Sequence, residues 1–554
     1  MHVALDLLFV VTLSAAYAVQ ILRWLRVLQR EHYEPSAMAR FVGRWSSPQI
    51  ATIPKPKVRI AQLDVAVRTA PRDDFQGAPR YEQDRLRPKL ERGARRPITL
   101  SHVLIFAFVV SVFFKNEIAL VAVAVVYGLF CPWGLSIKGR TGPLVWTRRA
   151  TTTTLVATVA SLAIAFVGLV ASRPWFPAAV VVWAVPVILD LTTRVLKPYE
   201  EHQSKRFVDQ AVARLHQVHP RVVAITGSYG KTSTKNHLAQ LMGEDGVVIT
   251  PRSFNNRAGL SRAINENLAD GTRVFVAEMG TYGPGEIRSL CSWCVPEIAI
   301  VTAIGPVHLE RMKRLEVIEG AKYEITEHAS VVIVNVDDLV LARWPQKLAE
   351  SGKRVRTAGS TNESASVRVS VEGANWTVSI DGAVIGVGPA IVGVQPTNLA
   401  CALAAALELD VDKGGLFDRV RRVSAVENRS NVVTAASGVE VIDDTFNANP
   451  ASAASALKVL KNLTLTGRRV VVTPGLVELG REQYGENLAL ARKIAFNGSE
   501  LVIVNRTNAV PLMAGFEGPV RRFNTRDEAV TWVRSALVPG DGVLYLNDLP
   551  DHYP

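Results

Sequence analysis

Two rhythms divide the chain. Over the first two hundred residues the apolar positions come in long runs, at 3–22, 99–114, 118–137, 150–171 and 175–191. A bilayer-spanning helix needs about 20 such residues, so the pattern predicts a helical membrane region of about five spans over residues 1–200. The second and fifth runs are short, and Lys115-Asn116-Glu117 makes a tight hairpin of the second and third. From about residue 203 the rhythm changes. Short β-branched runs at 222–226, 247–250, 273–277 and 298–303 alternate with helical patterns. Strands alternating with helices predict a largely parallel sheet. The expected fold class is an α-helical membrane region followed by α/β.

Composition agrees. A length of 554 residues leaves room for three or four domains. A hydrophobic content of 48% and a mean hydropathy of +0.16 are high for a purely soluble enzyme. The net charge of +13 would suit a nucleic-acid binder. Much of the excess flanks the apolar runs, however, where basic residues set topology instead, so no nucleic-acid partner is expected. The chain opens Met1-His2, carries Asp6, and places Arg23, Arg26 and Arg30 after the first run. That order predicts an anchor with its N-terminus outside, not a cleaved signal. The stretch 23–96, with Arg85, Arg87, Lys89, Arg92, Arg95 and Arg96, is basic, as is the loop with Lys138, Arg140, Arg148 and Arg149. The opposite loops hold Lys115 and Arg173. Five spans then place both basic loops, and everything after Arg194, on the cytoplasmic side of the inner cell membrane. The four cysteines suit a reducing compartment. Cys291 and Cys294 form a lone C-x-x-C without the second pair that zinc requires, so core packing is expected of them.

The sharpest motif ends the first of the short strands: Thr226-Gly227-Ser228-Tyr229-Gly230-Lys231-Thr232-Ser233. Its glycines let backbone N–H groups turn inward on phosphate oxygens, Lys231 can reach terminal phosphates, and Thr232 can ligate Mg²⁺. The first glycine is closer to Gly230-Lys231 than the general pattern requires, so the loop is of a shortened type. A glycine turn that happens to precede Lys-Thr is the bland alternative; a strand before and a helix after decide for the phosphate loop. ATP and Mg²⁺ are the expected cofactors. Glu278 ends a strand and His308 follows another, at the sheet edge where ligands bind in open α/β folds.

From this loop onward the sequence resembles the Mur ligases. The strings that carry the resemblance are Thr250-Pro251-Arg252-Ser253-Phe254-Asn255-Asn256, Ala277-Glu278-Met279-Gly280, Pro284-Gly285-Glu286-Ile287 and Gly305-Pro306-Val307-His308-Leu309-Glu310. Ala321-Lys322-Tyr323-Glu324-Ile325, Arg429 and Ile442-Asp443-Asp444-Thr445-Phe446-Asn447-Ala448-Asn449-Pro450 follow. Within the family they are most like the type that adds D-alanyl-D-alanine. The resemblance implies a P-loop-containing central Mur ligase domain over 203–423 and a C-terminal Rossmann-like α/β domain over 424–554. It implies an ATP-dependent acid–amino-acid ligase of peptidoglycan biosynthesis, in which a carboxylate becomes an acyl phosphate that an amine attacks. Catalysis of that kind is mostly electrostatic clamping and positioning.

The residue roles implied are these. Lys231, Lys322 and His308 are catalytic, and Thr232, Glu278, His308 and Lys322 hold metal. Lys322 falls on a helix expected over 315–329, where a bare lysine is ordinarily solvated or paired with Glu319; the resemblance makes it the lysine that is often carbamylated in the family. Residues 227–233, Asn335, Arg429 and Asp443 are the nucleotide's, with Asp337 beside Asn335 on the adenine side. Asn255, Asn256, Asn447 and Asn449 face substrate, the last two in a site closed by the last domain. The implied partners are a muramoyl-peptide or other carboxylate acceptor, an amino acid or dipeptide donor, and the lipid bilayer.

Three departures matter. The membrane segment and its basic loop stand where the family has a soluble domain that grips a uridine nucleotide, so the acceptor is UDP-linked or lipid-linked. Gly393-Val394-Gln395-Pro396-Thr397-Asn398 stands where the family has glycine-x-histidine-asparagine. Leu546-Asn547-Asp548-Leu549-Pro550 replaces a late lysine-glycine-serine string, which leaves the amine donor open. Two alternatives compete: a ligase extending another acid, such as a polyglutamate chain, and a membrane transporter or nucleotide sensor. A transporter would place charged or helix-breaking residues at mid-membrane in several spans; Asp6 and Pro186 are the main candidates here.

Overall fold

A computed structural model describes residues 2–30, 33, 38, 41, 100–114, 116–132, 135, 144–170, 175–243, 245–251, 254–391, 393–424, 431–445, 448–518 and 520–549. Most of the basic stretch 23–96 lies outside these residues, as do Lys115, Lys138, Arg140, Arg173, Arg429 and Asn447. The chain forms two compact units, Met1–Glu200 with Val504–Ala514 and Leu549–Pro554, and Glu201–Ile503 with Gly515–Asp548.

Helices α1 (His2–Arg30), α2 (Leu100–Phe113), α3 (Glu117–Phe130) and α4 (Arg148–Val170) of the first unit, with the part of α5 (Trp175–Val218) up to Glu200, stand at the five apolar runs. Three of them, within Ala4–Arg30, Arg148–Gly168 and Trp175–Val218, are long and apolar enough to cross a membrane. The other two have 14 residues each. Leu7, Leu8, Phe106, Leu155, Leu162 and Phe166 are exposed while Ala16, Leu25, Leu28, Ala157 and Val185 are buried. Apolar side chains thus line the outside as well as the inside, which water would penalise and lipid would not. Two polar side chains of α1 find backbone partners among the helices. Gln20 Nε2 donates to the carbonyls of Gly128 and Cys131, and Arg23 donates to those of Gly128, Leu129 and Cys131, satisfying the end of α3.

The second unit carries two sheets. The first has nine strands in the order β2-β3-β1-β4-β5-β6-β7-β8-β9: β1 (Arg221–Thr226), β2 (Val247–Ile249), β3 (Val274–Glu278), β4 (Ile298–Val301), β5 (Val331–Asn335), β6 (Arg354–Gly359), β7 (Val367–Glu372), β8 (Asn375–Ile380) and β9 (Ala383–Pro389). Pairing is parallel from β2 through β7, and β7, β8 and β9 form an antiparallel end. The β-branched runs are buried on both faces, as a helix-covered parallel sheet requires. Along β1, Val223 and Ile225 join one core with Leu238, Leu241, Leu399 and Leu403. Val222 and Ala224 join the opposite one with Leu260, Phe275 and Ile287. The direction of winding reverses between β1 and β4, and such a switch point opens a crevice at the strands' C-terminal ends.

One element differs from expectation. The helix expected over 315–329 runs as Leu315–Tyr323 and then tightens into a 3₁₀ turn, Glu324–Thr326. There the Glu324 carboxylate accepts from the backbone N–H groups of Gly285 and Arg288 at 2.6 and 3.0 Å. Cys291 and Cys294 are packed in the same core as Phe275.

The second sheet, of six strands, has the order β10-β11-β15-β12-β13-β14: β10 (Asn431–Thr434), β11 (Glu440–Asp444), β12 (Arg469–Thr473), β13 (Glu500–Val504), β14 (Val520–Phe523) and β15 (Gly542–Leu546). β10 pairs antiparallel with β11, while β11, β15, β12 and β13 are parallel. This is the Rossmann-like C-terminal α/β domain.

Candidate functional site

The site grows from the switch point. β1 ends at Thr226, and helix α6 (Lys231–Met242) begins after four residues. Gly230 has φ 85, a left-handed conformation that glycine adopts without penalty. A side chain there would strike Asn398, and one at Gly227 would strike the Thr302 hydroxyl. The loop must therefore be glycine at both positions to pack against β4 and the helix Pro396–Glu408. Its other residues are pinned: the Ser228 N–H donates to Ala303 O at 2.8 Å, and Thr302 donates to Tyr229 O. The Tyr229 ring lies against Gly305, and burial pushes its phenol up to about 12. Gly230, the cap residue of α6, supplies no side-chain cap bond. Asn256, by contrast, caps Arg257–Asn267 by accepting from Gly259 N. The uncapped end leaves N–H groups and the positive pole of the helix dipole for an anion.

Around that end stand the ionisable groups. Lys231 Nζ donates to Gly227 O at 2.8 Å. Thr232 Oγ1 donates to Glu278 Oε2 at 3.0 Å. The register that pairs Ile225 with Glu278 sets this carboxylate level with the loop. Lys235, one turn beyond Lys231, donates to the same Glu278 oxygen at 3.1 Å and to Thr250 O at 2.7 Å. Lys235 is 1% exposed and Glu278 also 1%. Burial pulls the Lys235 ammonium down from its ordinary value while Glu278 holds it up. This lysine was missed in the sequence; its place one turn after Lys231 on the same helix face was the available signal.

A pocket opens beside the loop, lined among others by Lys231, Asn255, Tyr282, His308 and Lys322. Lys322 is buried, where a lone helical lysine is expected to be solvated or paired with Glu319; Glu319 instead accepts from the indole N–H of Trp344 at 2.9 Å. Burial, and then repulsion from Lys231, lower the Lys322 ammonium well below 10.5, which favours the neutral amine. His308 lies at the start of the short helix Leu309–Met312 with φ 53. Its ring packs edge-on against Tyr282 at 4.7 Å, and its Nδ1 is 2.6 Å from Glu478 Oε2.

The remaining expected residues are more dispersed. Asn335 is buried at the end of β5, its amide donating to Thr302 O at 2.8 Å, so it braces the strand that holds the loop. Asp337 accepts from Ser360 N, Thr361 N, Asn362 N and Thr397 Oγ1. Burial alone would raise its carboxyl, but those donors outweigh it and the carboxyl is held below its ordinary value. Thr397, at the altered family string, is thus tied to Asp337, while its neighbour Asn398 touches the phosphate loop. Asp443 accepts from Thr445 in a local turn. Asn449 spends its side-chain oxygen capping the helix Pro450–Asn462. Ser233 lies in the first turn of α6.

A glycine-built anion cradle at a parallel-sheet switch point, with two lysines facing one pocket, defines a P-loop enzyme of the α/β class. The chain matches the Mur ligase middle domain over residues 225–407 and the family "Mur ligase, glutamate ligase domain" over 428–546. It is 30% identical over 368 residues to the UDP-N-acetylmuramoyl-tripeptide--D-alanyl-D-alanine ligase of Mycobacterium leprae (strain TN), covering 58% of this chain and 70% of that protein. To the enzyme of the same name from Escherichia coli (strain K12) it is 31% identical over 278 residues, or 48% and 60% of the two chains. Among solved structures, MurF from Acinetobacter baumannii shares the fold at TM-score 0.54 and 24% identity, covering 62% of this chain and 77% of that one. MurF from Thermotoga maritima in complex with ADP does so at 0.54 and 22%, covering 62% and 80%. The chain belongs to the Mur ligase family and is an ATP-dependent ligase.

Proposed function

We propose that this protein is a membrane-anchored ligase that joins D-Ala-D-Ala, or a related amino acid or dipeptide, to a UDP- or lipid-linked muramoyl-peptide at the cytoplasmic face of the inner membrane. The observation that carries this reading is the pairing of Lys231 and Lys322 across one pocket beside Thr232 and Glu278. An acyl-phosphate transfer concentrates anionic oxygens, and this pocket gathers cationic and N–H groups around such a charge. Supporting it further are the family relatives that act on a muramoyl-tripeptide and D-alanyl-D-alanine by name. The domain organisation we propose is a membrane region at 1–200, a nucleotide-binding domain at 203–423 and a closing domain at 424–554. The three long apolar helices support the anchor, and the basic residues Arg148 and Arg149 at the start of α4 support a cytoplasmic catalytic half.

In this reading residues 227–233 hold the ATP phosphates, Lys231 neutralises the transferring group, and Asn335, Arg429 and Asp443 stand on the nucleotide side. Asn255, Asn256, Asn447 and Asn449 border the substrates, although the cap made by Asn449 leaves only its amide N–H₂ for a ligand. The residues present fit Mg²⁺. Thr232 and Glu278 offer adjacent oxygens at the uncapped helix end, and among the described residues no three His, Cys, Asp or Glu side chains gather as a complete cage. Mg²⁺ characteristically takes one or two protein oxygens and completes its shell with phosphate and water. His308 lines the neighbouring pocket. When bound, the ion would screen the phosphate charge.

For Lys322 we carry over the role that the family resemblance implies, a carbamylated lysine. No hydrogen bond or ion pair holds its amine among the described residues, and burial and then repulsion from Lys231 weaken its hold on a proton. A neutral amine adds CO₂, forming an N–C bond and releasing a proton, to give a carbamate that can help hold a second Mg²⁺. Turnover is expected to fall several-fold in CO₂-free buffer and to recover with bicarbonate, with Lys322→Ala losing both. Turnover of Lys322→Ala equal to wild type would remove Lys322 from the mechanism.

The reading as a whole is tested by phosphate release from ATP by the full-length protein with D-Ala-D-Ala and either UDP-MurNAc-tripeptide or its lipid-linked form. Turnover that requires both substrates supports it, and preference for one acceptor tells which linkage the membrane region serves. ATP binding without turnover on either would point to another acid, such as a polyglutamate chain.

A further inference from the structure

We infer that Glu478, on the C-terminal domain, is a positioning residue that sets the imidazole of His308 and so makes this side of the nucleotide site depend on docking of that domain. The inference rests on the nucleotide-binding part of the function proposed above. His308 belongs to the central domain, following β4, whereas Glu478 follows β12 in the second sheet, 170 residues away. Between them is a 2.6 Å contact from Nδ1 to Oε2. The backbones meet as well: Glu310 N donates to Glu478 O at 3.3 Å, and Gly480 comes so close to Leu309 and Glu310 that a Cβ there would be crowded at 3.2 Å.

Both partners are held in an uncommon conformation. His308 has φ 53 and Glu478 φ 63, in the left-handed region that non-glycine residues avoid. Such strain persists where surrounding structure over-determines it, characteristically at functional contacts. Two strained residues from different domains, facing each other in one short hydrogen bond, mark the contact as a latch. The ring also packs edge-on against Tyr282 at 4.7 Å, and Arg311 lies 4.4 Å over the Tyr282 ring.

The chemistry follows from the acceptor. A carboxylate oxygen only accepts, so the proton at this contact sits on Nδ1; in the neutral ring Nε2 then carries the lone pair. A carboxylate behind a ligating imidazole fixes tautomer and orientation in the same way at metal sites. Here that carboxylate comes from a different domain. Undocking withdraws it and leaves His308 free to change tautomer and rotate. Docking and ligand readiness are thereby one event.

The test uses full-length protein labelled with ¹⁵N-histidine, the His308 signal being identified among the ten histidines by His308→Gln. Wild type is expected to show His308 protonated at Nδ1. Glu478→Ala is expected to show mixed tautomers, and about a tenfold higher Mg²⁺ concentration for half-maximal response of that signal in ADP-bound protein. Glu478→Gln retains an acceptor oxygen, so it should keep the tautomer with a smaller shift in Mg²⁺ response. In turnover assays the change should fall on the Mg²⁺ requirement more than on the saturated rate. A Glu478→Ala protein with unchanged tautomer and Mg²⁺ response, or a wild type protonated at Nε2, would overturn the inference. If Glu478→Ala fails to fold, wild type and Glu478→Gln still decide it. Failure of the ligase reading would appear separately, as absence of turnover with every acceptor while the tautomer and the ADP–Mg²⁺ response stay as expected.

Discussion

Lys231→Ala is expected to lower ATP turnover about a thousandfold while leaving folding stability within about 1 kcal/mol of wild type. Removal of one preorganised donor at a charge-developing site typically costs 10²–10³ in rate, roughly 3–4 kcal/mol of barrier. Lys231 belongs at the upper end because it brings a full charge and sits in the first turn of an uncapped helix. Its structural role is small by comparison. The Nζ donates to Gly227 O across a four-residue loop in a part-buried bond, and a bond of that kind contributes about 1 kcal/mol. The variant has a second expected consequence. Repulsion from Lys231 is one of the two causes that lower the Lys322 ammonium, burial being the larger, so its removal should raise Lys322's proton affinity. Lys231→Arg should not rescue, because a planar guanidinium is not a compact ammonium and its greater length crowds a loop already closed around Gly227 and Gly230. Phosphate release, with ADP binding measured in parallel, checks these expectations. Turnover within tenfold of wild type would remove Lys231 from the reaction.

The sequence disclosed the backbone plan well, and the side-chain partnerships poorly. Residues 222–226 and 273–277 read as strands because buried parallel strands are continuous β-branched runs, and both appear within one residue of expectation. The phosphate loop was legible because glycine, lysine and threonine at fixed spacing have few other uses. Long-range pairing leaves no such local trace. Glu478 reaches His308 across 170 residues, and Lys235 meets Glu278 across 43. Neither pair has a periodicity that connects its members. The helix ending at Tyr323 was overestimated for a related reason: Glu324 is a good helix former by propensity, yet its carboxylate is taken by Gly285 and Arg288 of another segment. Lys322 looked like a surface residue because helical spacing tells which face a side chain occupies, not what covers that face.

The largest effect on stability is expected at Glu278. Its carboxylate and the Lys235 ammonium form an ion pair 3.1 Å long, with side chains 2% and 1% exposed. Removing one member of such a pair leaves an uncompensated buried charge and typically costs 3–5 kcal/mol. Glu278→Ala should therefore lose roughly that much stability, together with turnover, since Thr232 also loses its partner. The pH dependence identifies the cause. Burial already lowers the Lys235 ammonium from 10.5, and Glu278 opposes that fall. Without Glu278 the folded-state value drops further, while the unfolded value stays at the ordinary one. Between the two the unfolded chain binds more protons than the folded one, so stability rises with pH across that window. The deficit of Glu278→Ala should accordingly shrink as pH climbs toward 10.5. The double variant Glu278→Leu with Lys235→Met replaces both charges by apolar groups of similar volume, a change that is often neutral or stabilising at buried pairs. It should recover most of the lost stability and none of the activity, which separates the structural duty of the pair from the chemical duty of Glu278. Denaturant unfolding of the three proteins between neutral and alkaline pH is the measurement. Identical pH slopes for wild type and Glu278→Ala, or a double variant as unstable as the single one, would show that the buried ion pair does not govern folding here.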